Sequence, residues 1–466
     1  MKSIINRREF IKAAGLGTAA LALGKLSSAA PVPKRPNLIF ILTDDQRYDE
    51  MSCAGHPWLK TPNLDRLASE GALFKNAFVT TSLCSPSRAS FLTGCYTHTH
   101  GVFFNEDNDP DPTLPIFPQL LQKSGYETAF IGKWHMKKMD EPRSGFDHWV
   151  SFVGQGYYYG NDLNVDGKMV RTENYITDEL TDYALQFIKK KRNKPFMLYL
   201  SHKAIHGPQT PAKRHENLYA DEKMKLYDDP EDNLATKPLW QARVRPGWDK
   251  KMRNRKQTLA AVDEGISRIL DTLKEQKILD DTVVIFTSDN GHLSGEHGLW
   301  DKRAAYEESI RIPLIMRYPK LARANTVCEE MVLNIDLAPT LLELAQVPIP
   351  KTIQGQSWVD VLKGKPGRKS FFYECFPADN KYHRPNVLAV RTKRWKFITY
   401  PLPDVSTARF PTRELYDLQN DPKELNNLVG NVKYMYDVRE MAKELEKLKV
   451  ETGFRFPPVQ KLWLGG

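Results

Sequence analysis

The feature that most constrains the fold is a short run of residues that is hydrophobic at nearly every position. Residues 37–42 read Asn-Leu-Ile-Phe-Ile-Leu, without alternation between polar and apolar side chains. Such a run is typical of a strand buried on both faces, at the centre of a parallel sheet with helices on each side. Further strand-type runs occur at residues 128–132, 196–201, 282–287 and 313–317. Helical patterns separate them, which predicts an α/β fold with a large mixed, mostly parallel sheet sandwiched by helices.

One of these helices has sequence signals at both ends. Residues 61–71 read TPNLDRLASEG. Thr61 is the expected N-cap and Pro62 suits the first turn, while Gly71 is expected to end the helix.

The pattern changes after residue 365. Short strands are expected at residues 371–375, 387–391 and 395–400, followed by an amphipathic helix at residues 438–449. We therefore predict a catalytic α/β domain at residues 30–365 and a smaller α+β subdomain at residues 366–466. Residues 207–256 are too long and too weakly periodic for an ordinary connection. Two interpretations of that segment stay open, a lid beside the active site and a solvated surface excursion.

The first residues resemble an export signal. Residues 1–29 contain the pair Arg7-Arg8, a soft apolar stretch and small residues before a cleavage site. The arginine pair indicates the twin-arginine export machinery, which predicts a periplasmic or secreted bacterial protein. The alternative, a buried N-terminal helix, is disfavoured because Pro31, Pro33 and Pro36 would break it from the following domain.

Charge and hydropathy exclude two classes of partner. The formal net charge is +10, and removing residues 1–29, with five Lys or Arg and one Glu, leaves +6. This mild excess suits an anionic substrate. The densest basic run, residues 189–194, follows an amphipathic stretch and indicates a helix C-terminus rather than a nucleic-acid patch. No apolar run reaches the roughly 18–20 residues of a membrane span.

Oxygen-bearing side chains follow two of the predicted strands. Asp44 and Asp45 come after the first strand, and Asp289 and Asn290 come after the strand at residues 282–287. Ligands bind at the carboxyl ends of strands in open parallel sheets. Such a set suits Ca²⁺ or Mg²⁺ better than zinc, because no His/Cys cluster accompanies it. Each pair alone is also typical of a polar turn.

Basic residues follow two other strands. Lys133 and His135 come at the end of the run at residues 128–132, and their spacing places both on one face if the strand continues. His206 lies a few residues past the strand at residues 196–201, and His202 is a competing candidate there.

Cys84 is one of five cysteines, none in a CxxC pair. Pro86 suits the first turn of a helix that begins at this point, and Arg88 lies one turn from Cys84 on the same face. A group at position 84 would lie beside helix N-terminal amides, where an anion is stabilised. The residues alone leave two interpretations open, a low-pKa thiolate nucleophile and a buried structural cysteine.

An ordered series of motifs resembles the type I sulfatases of the alkaline phosphatase superfamily. The signature CxPxR is present at residues 84–88, within CSPSRASFLTG. The other motifs are TDDQ at residues 43–46, GKWH at 132–135, SDNG at 288–291, GLWDKRAAYEESIRIPL at 298–314 and ELYDLQNDPKELNNL at 414–428. The sequence is most similar to those of bacterial N-acetylglucosamine-6-sulfatases and mucin-desulfating sulfatases, and the resemblance implies an alkaline phosphatase-like fold.

This resemblance implies a role for each matching residue. A maturation enzyme would oxidise Cys84 to formylglycine. The metal, usually Ca²⁺ and less often Mg²⁺, would be bound by Asp44, Asp45, Cys84 (as formylglycine), Asp289 and Asn290. The sulfate charge would be neutralised by Arg88, Lys133 and Lys302. The hydrated aldehyde would attack sulfur, His206 would protonate the leaving alcohol, and His135 would take the proton from the second hydroxyl as sulfate is eliminated.

The resemblance predicts hydrolysis of a sulfate monoester on a carbohydrate, releasing inorganic sulfate. His383 and Arg384, together with Lys133, His206 and Lys302, are the candidates for substrate contacts. The roles of His292 and His297 stay open between outer support of the site and a surface loop. Two alternatives are kept, a phosphatase or phosphonate monoester hydrolase of the same superfamily and a non-catalytic protein that binds sulfated glycans.

Overall fold

Strand β1 (Asn37–Thr43) lies at the centre of the main sheet in the computed structural model of the protein. The structure describes residues 35–105, 109–137, 140–224, 229–237, 248–376, 385–401 and 413–458. The expected export signal at residues 1–29 lies outside them. The described residues from Pro36 onward belong to one compact unit. No helix among the described residues has the length and apolarity of a membrane span.

The main sheet has eleven strands within the described residues, and its centre is parallel. The flanking strands are β2 (Ala72–Phe78), β3 (Glu127–Lys133), β4 (His148–Phe152), β5 (Asn161–Val165), β6 (Lys168–Thr172), β7 (Phe196–Ser201), β8 (Thr282–Ser288), β11 (Arg311–Ile312), β12 (Leu314–Arg317) and β13 (Thr326–Leu333). A short antiparallel ribbon joins β9 (Leu293–Ser294) to β10 (Trp300–Asp301).

The order across the sheet is β11-β2-β12-β8-β1-β7-β3-β4-β5-β6, and β13 pairs with β2. Strands β8, β1, β7, β3 and β4 are parallel to one another. Strands β5, β6, β11 and β12 run antiparallel to their neighbours. The predicted fold class is confirmed, and the run at residues 313–317 is an antiparallel strand.

Alternate residues of β1 point into two separate hydrophobic cores. Leu38, Phe40 and Leu42 belong to one buried cluster. Ile39 and Ile41 belong to another, on the opposite face of the sheet. Because both faces are covered, the strand has no solvent-facing position, which explains why its sequence is an unbroken apolar run.

Helices cover both faces of the sheet. Their bounds are Pro62–Ser69, Cys84–Thr93, Thr97–His100, Phe117–Lys123, Ile176–Lys189, Trp248–Glu275, Glu307–Ile310, Leu337–Leu344, Val359–Leu362 and Met435–Glu451. The expected helix at residues 61–71 is present, but Thr61 and Gly71 do not have the roles predicted for them at its ends. The Thr61 side chain does not cap the helix and instead accepts a hydrogen bond from the Ser52 amide at 2.9 Å. Gly71 is required by packing, since a Cβ there would lie 2.3 Å from the Met316 carbonyl oxygen.

A separate antiparallel sheet follows in the C-terminal part, as predicted. Its strands are β14 (Ser370–Cys375), β15 (Val387–Thr392), β16 (Trp395–Thr399) and β17 (Arg413–Asp417), in that order. The helix Met435–Glu451 contributes Met441, Leu445 and Leu448 to the same buried cluster as Phe372 and Phe397. The proposed boundary at residues 365 and 366 stays a prediction.

Residues 207–256 are only partly irregular. The helix Trp248–Glu275 begins inside this segment. Its residues Arg255 and Lys256 are buried. The expectation of a weakly structured stretch up to residue 256 is therefore wrong at its C-terminal end, because charged residues hide the apolar face of the helix from a periodicity search.

Candidate active site

Four parallel strands bring their carboxyl ends to one edge of the sheet, and most of the predicted site residues follow them. In the register of β1 and β8, Thr43 pairs with Ser288. Asp44 and Asp289 therefore follow neighbouring strands at the same height. The Asp45 amide donates to Asp289 Oδ1 at 3.1 Å, which joins the two strand ends directly. Parallel pairing thus places the two polar pairs side by side.

The acidic residues meet Cys84 in a buried cluster. One ligand atom from each of Asp44, Asp45, Cys84 and Asp289 lies within 4.8 Å of the others. Cys84 Sγ lies 3.6 Å from Asp44 Oδ1. Asn290 donates through Nδ2 to Asp45 Oδ1 at 2.7 Å. Its Oδ1 is buried and has no hydrogen-bond partner among the described residues, so one acceptor of the cluster stays available.

Cys84 occupies the N-terminus of the helix Cys84–Thr93, as predicted. Arg88 lies one turn later and is fully buried. Its Nε donates to Asp289 Oδ2 at 3.0 Å and its Nη2 to Asp44 Oδ2 at 3.2 Å. Its Nη1 donates to Ser201 Oγ at 2.6 Å. Its Nη1 also donates to the Lys133 carbonyl oxygen at 2.7 Å, so Arg88 connects the helix to the ends of four strands.

Two lysines complete the charge balance. Lys133 is the last residue of β3 and donates to Asp44 Oδ2. Lys302 follows β10 and donates to Asp45 Oδ1, while its Nζ lies 2.9 Å from Cys84 Sγ. Three buried carboxylates and three buried cations therefore share this small volume.

The pKa shifts reflect this crowding. Burial alone would raise the pKa values of Asp44 and Asp45, but the lysines Lys133 and Lys302 hold them well below the usual range. Burial and the nearby Asp44 raise the pKa of Asp289 to about 6. Burial and Asp44 also raise the pKa of the Cys84 thiol well above its ordinary value. This rise argues against a low-pKa thiolate at position 84.

His135 lies beside Lys133 in a left-handed backbone conformation, with φ of 64°. The expected continuation of the strand through this residue is therefore wrong. Burial, Lys133 and Arg88 hold the pKa of His135 well below its ordinary value, which makes the ring neutral. Its Nε2 lies 2.9 Å from Gln155 Nε2 and its Nδ1 lies 3.3 Å from Ser85 Oγ.

His206 lies in the site and His202 does not. His206 Nε2 is 3.7 Å from Asp45 Oδ2, and its side chain is 21% exposed. Its Nδ1 lies 2.7 Å from the Gly207 carbonyl oxygen, which leaves Nε2 facing the site. Burial lowers the pKa of His206 to about 4. His202 is fully buried, and the acidic group that acts on it is Asp178, away from the cluster.

The two histidines whose roles stayed open, His292 and His297, are both buried. His292 is buried, with Nδ1 at 3.1 Å from Ser294 Oγ. His297 is buried too, with Nδ1 at 3.0 Å from Asp232 Oδ2. The surface-loop interpretation is therefore wrong for both. The other two candidates for substrate contacts, His383 and Arg384, lie outside the described residues.

Sequence reasoning missed two features of the site. Gln155, three residues after β4, contacts both Lys133 and His135. Its position just after the carboxyl end of a strand is one where site residues are expected. It was missed because β4 carries no apolar run that would predict a strand. Glu50 is buried against Arg255 and Lys256, and Arg255 Nη2 donates to the Asp45 carbonyl oxygen at 2.6 Å. No local pattern connects residues so far apart in the chain.

The sequence of this chain matches two models of known protein families. A family model described as Sulfatase matches residues 36–347. A second, described as N-sulphoglucosamine sulphohydrolase, C-terminal, matches residues 295–451. The chain is 34% identical to an N-acetylglucosamine-6-O-sulfatase of Bacteroides thetaiotaomicron, over 89% of this chain and 86% of that protein.

Two further relatives extend the comparison. The chain is 29% identical to an ulvan-active sulfatase of Formosa agariphila, over 91% of this chain and 83% of that protein. A protein solved in complex with its substrate D-glucosamine-2-N,6-O-disulfate superposes with a TM-score of 0.82. Its sequence is 33% identical, and the match covers 91% of this chain and 99% of that one.

Proposed function

The chain belongs to the sulfatase family and is a sulfuric ester hydrolase, and we propose that it removes sulfate from a sulfated carbohydrate through a formylglycine formed at Cys84. The observation that carries this proposal is the buried cluster of Asp44, Asp45, Asp289 and Cys84. Three buried cations contact that cluster. Sulfate is an anion, and such a site provides fixed positive charge where the reaction builds up negative charge.

The donor set fits a hard divalent cation. It consists of carboxylate oxygens and one amide oxygen, which Ca²⁺ and Mg²⁺ prefer. The unpartnered Asn290 Oδ1 supports this fit, because a buried acceptor without a partner costs free energy. Asp44, Asp45, Asp289 and Asn290 would hold the ion, together with position 84. The bound ion would supply Lewis-acid stabilisation of a sulfate oxygen. Ca²⁺ is our first expectation.

With a divalent ion bound, the charges of the site would favour binding of the anionic substrate. Lys133, Lys302 and Arg88 pair with the carboxylates, and a divalent ion would take over part of that pairing. The three cations could then turn toward the oxygens of a sulfate ester. Because the pocket is buried, these interactions would be stronger than the same contacts in water.

His206 and His135 would carry out the proton transfers of the reaction. A formylglycine hydrate supplies one hydroxyl that attacks sulfur and a second whose deprotonation expels sulfate. His206 is the more exposed of the two, and the negative charge of a bound sulfate ester would raise its pKa, so that a protonated Nε2 could donate to the leaving alcohol. His135 is buried and neutral, which suits a base that accepts the proton of the second hydroxyl.

Two measurements test this function. The mass of the tryptic peptide that contains position 84, taken from active native enzyme, should correspond to formylglycine rather than cysteine. An unmodified cysteine in fully active enzyme would refute the mechanism. Turnover of 4-nitrophenyl sulfate should exceed that of 4-nitrophenyl phosphate, and dominant phosphate turnover would refute the sulfatase assignment.

The identity of the sugar is a finer proposal. Relatives named for N-acetylglucosamine-6-sulfate support a 6-sulfated glucosamine derivative as the substrate. A panel of monosulfated sugars that differ in ring and sulfate position tests it. Preference for a sulfate on another position or another ring would contradict it.

We also propose that residues 1–29 direct the protein through the twin-arginine machinery to the periplasm or the medium. A maturation enzyme would act on Cys84 before export, because this route carries folded proteins. Replacing Arg7 and Arg8 by Lys should leave the protein in the cytoplasmic fraction. Unchanged export of that variant would contradict this assignment.

A further inference from the structure

Gln155 bridges two of the residues that we place in the reaction. Its Oε1 lies 2.5 Å from Lys133 Nζ and its Nε2 lies 2.9 Å from His135 Nε2. Its side chain reaches these groups from the loop that joins β4 to β5. No motif of the sequence marks it.

The chemistry of the partners fixes the orientation of this amide. A lysine ammonium can only donate hydrogen bonds, so the carbonyl oxygen of Gln155 must face Lys133. The amide NH₂ then faces His135 and can only donate. His135 Nε2 must therefore be an acceptor, and the proton of the neutral ring must be on Nδ1.

The opposite side of the ring is consistent with this assignment. His135 Nδ1 lies 3.3 Å from Ser85 Oγ, which can accept from an Nδ1–H. The same hydroxyl donates to the His135 carbonyl oxygen, so toward the ring nitrogen it acts as an acceptor. Each hydrogen bond in this series from Lys133 to Ser85 then joins a donor to an acceptor, which is the arrangement expected of a buried polar network.

The loop that carries Gln155 has hydrogen bonds besides those of the glutamine side chain. Asn161 accepts from the Tyr157 amide and donates to the Tyr157 carbonyl oxygen, both at 2.8 Å. The Tyr158 hydroxyl donates to the His206 carbonyl oxygen at 2.9 Å. The loop thus contacts the backbone of one histidine and the ring of the other.

We propose that Gln155 is a positioning residue that holds His135 as the Nδ1-protonated tautomer and leaves Nε2 as the basic nitrogen of the ring. This inference rests on the proposed function, in which His135 is the base. The amide N–H requires an unprotonated Nε2, so Gln155 favours the form that can accept a proton. Glutamate at this position would do the opposite, because its carboxylate would accept from an Nε2–H and favour the imidazolium. Lys133, Arg88, Asp44 and His206 also act on the ring.

The tautomer can be observed directly in the full-length protein. In protein labelled with ¹⁵N at histidine side chains, the signals lost in His135→Asn identify this ring. We expect wild-type His135 to show a protonated Nδ1 and an unprotonated Nε2 across the pH range of activity. Protonation of Nε2 in the neutral ring would overturn the proposal, whether or not the protein releases sulfate. Sulfate release by the wild type tests the proposed function alone.

Two variants connect the tautomer to the reaction. Gln155→Leu should mix the two tautomers and lower kcat by about tenfold to a hundredfold, with a smaller change in KM, as for other outer supporting residues. Gln155→Glu should shift the acidic limb of the kcat–pH profile to higher pH and show the imidazolium in the ¹⁵N spectrum. Val153→Ala, an exposed position of the same loop, is the control and should match wild type. An unchanged tautomer and pH profile in both Gln155 variants would overturn the proposal.

Discussion

Glu50 provides the sharpest test of how the site is supported. Its carboxylate is fully buried and meets two buried cations, Arg255 Nη2 at 3.2 Å and Lys256 Nζ. The Arg47 amide also donates to it, at 3.3 Å. Arg255 in turn donates to the carbonyl oxygen of Asp45, a proposed metal ligand. The perturbation is Glu50→Ala, which leaves both cations in the interior without their carboxylate.

The magnitude follows from burial. Removing one partner of a buried ion pair costs about 3–5 kcal/mol, because the charge that remains is desolvated and uncompensated. The control is Glu446→Ala, which removes a 68% exposed carboxylate from Lys449 on the C-terminal helix. An exposed pair of this kind contributes about 0–1 kcal/mol. The two substitutions should therefore differ by several kcal/mol in the free energy of unfolding.

The pH dependence gives a second, independent readout. Burial alone would raise the pKa of Glu50, but Arg255 and Lys256 hold it far below its ordinary value. A depressed pKa contributes stability above the unfolded-state value of about 4.3, and that contribution is lost as the pH falls toward the folded-state value. The gap in stability between wild type and Glu50→Ala should therefore be largest near neutral pH and narrow in acid.

Urea denaturation followed by far-UV circular dichroism, at neutral pH and at pH values below about 4, measures both effects. The unfolding midpoint of Glu50→Ala should fall well below that of the control at neutral pH. Because Arg255 loses the carboxylate that holds it beside Asp45, sulfate release should also fall at temperatures where the variant is still folded. A Glu50→Ala midpoint equal to that of Glu446→Ala, or a gap that widens in acid, would refute the reasoning.

Three further predictions concern the site and the sheet. Removing divalent ions with EGTA should abolish sulfate release and lower the unfolding temperature, and Ca²⁺ at a hundred times its Kd should restore about 2.7 kcal/mol of stability; unchanged activity after dialysis would contradict the metal site. Cys84→Ser should accumulate a covalent sulfate ester, seen by mass spectrometry, because serine has no second hydroxyl to expel it; steady turnover would contradict the elimination step. Gly132→Ala should reduce soluble expression, since its Cβ would lie 1.8 Å from the Ser201 carbonyl oxygen between β3 and β7; wild-type thermal stability would contradict this close packing.

The central strands of the sheet were predictable because burial on both faces leaves a pattern in the sequence of each strand. Strands β1, β7 and β8 are buried on both faces, so their sequences are unbroken apolar runs with bounds that the structure matches within one residue. Strands β5 and β6, the last two at one side of the sheet, carry polar and exposed residues such as Asp162 and Lys168. They have no such pattern and were not predicted. Strand burial, rather than strand content, decides what the sequence reveals.

The metal-type cluster was predictable for a related reason. Asp44, Asp45, Asp289 and Asn290 directly follow two recognisable strands, and parallel pairing forces their ends together. Choosing between His202 and His206 needed more, since both follow β7. The chain after β7 must turn before His206 Nε2 reaches Asp45, and no periodicity encodes such a turn.

Lys302 marks the limit of what local sequence can predict. It follows the two-residue strand β10, and no apolar run precedes it. Its neighbours Asp301 and Arg303 both adopt left-handed conformations, with φ of 84° and 76°. The Arg303 amide donates to the Ser82 carbonyl oxygen at 3.2 Å, which attaches this loop beside Cys84. The position of the lysine therefore depends on a contact between two loops. Only the likeness of the segment at residues 298–314 to a known family could place it in the site, because the energy that holds it there is tertiary.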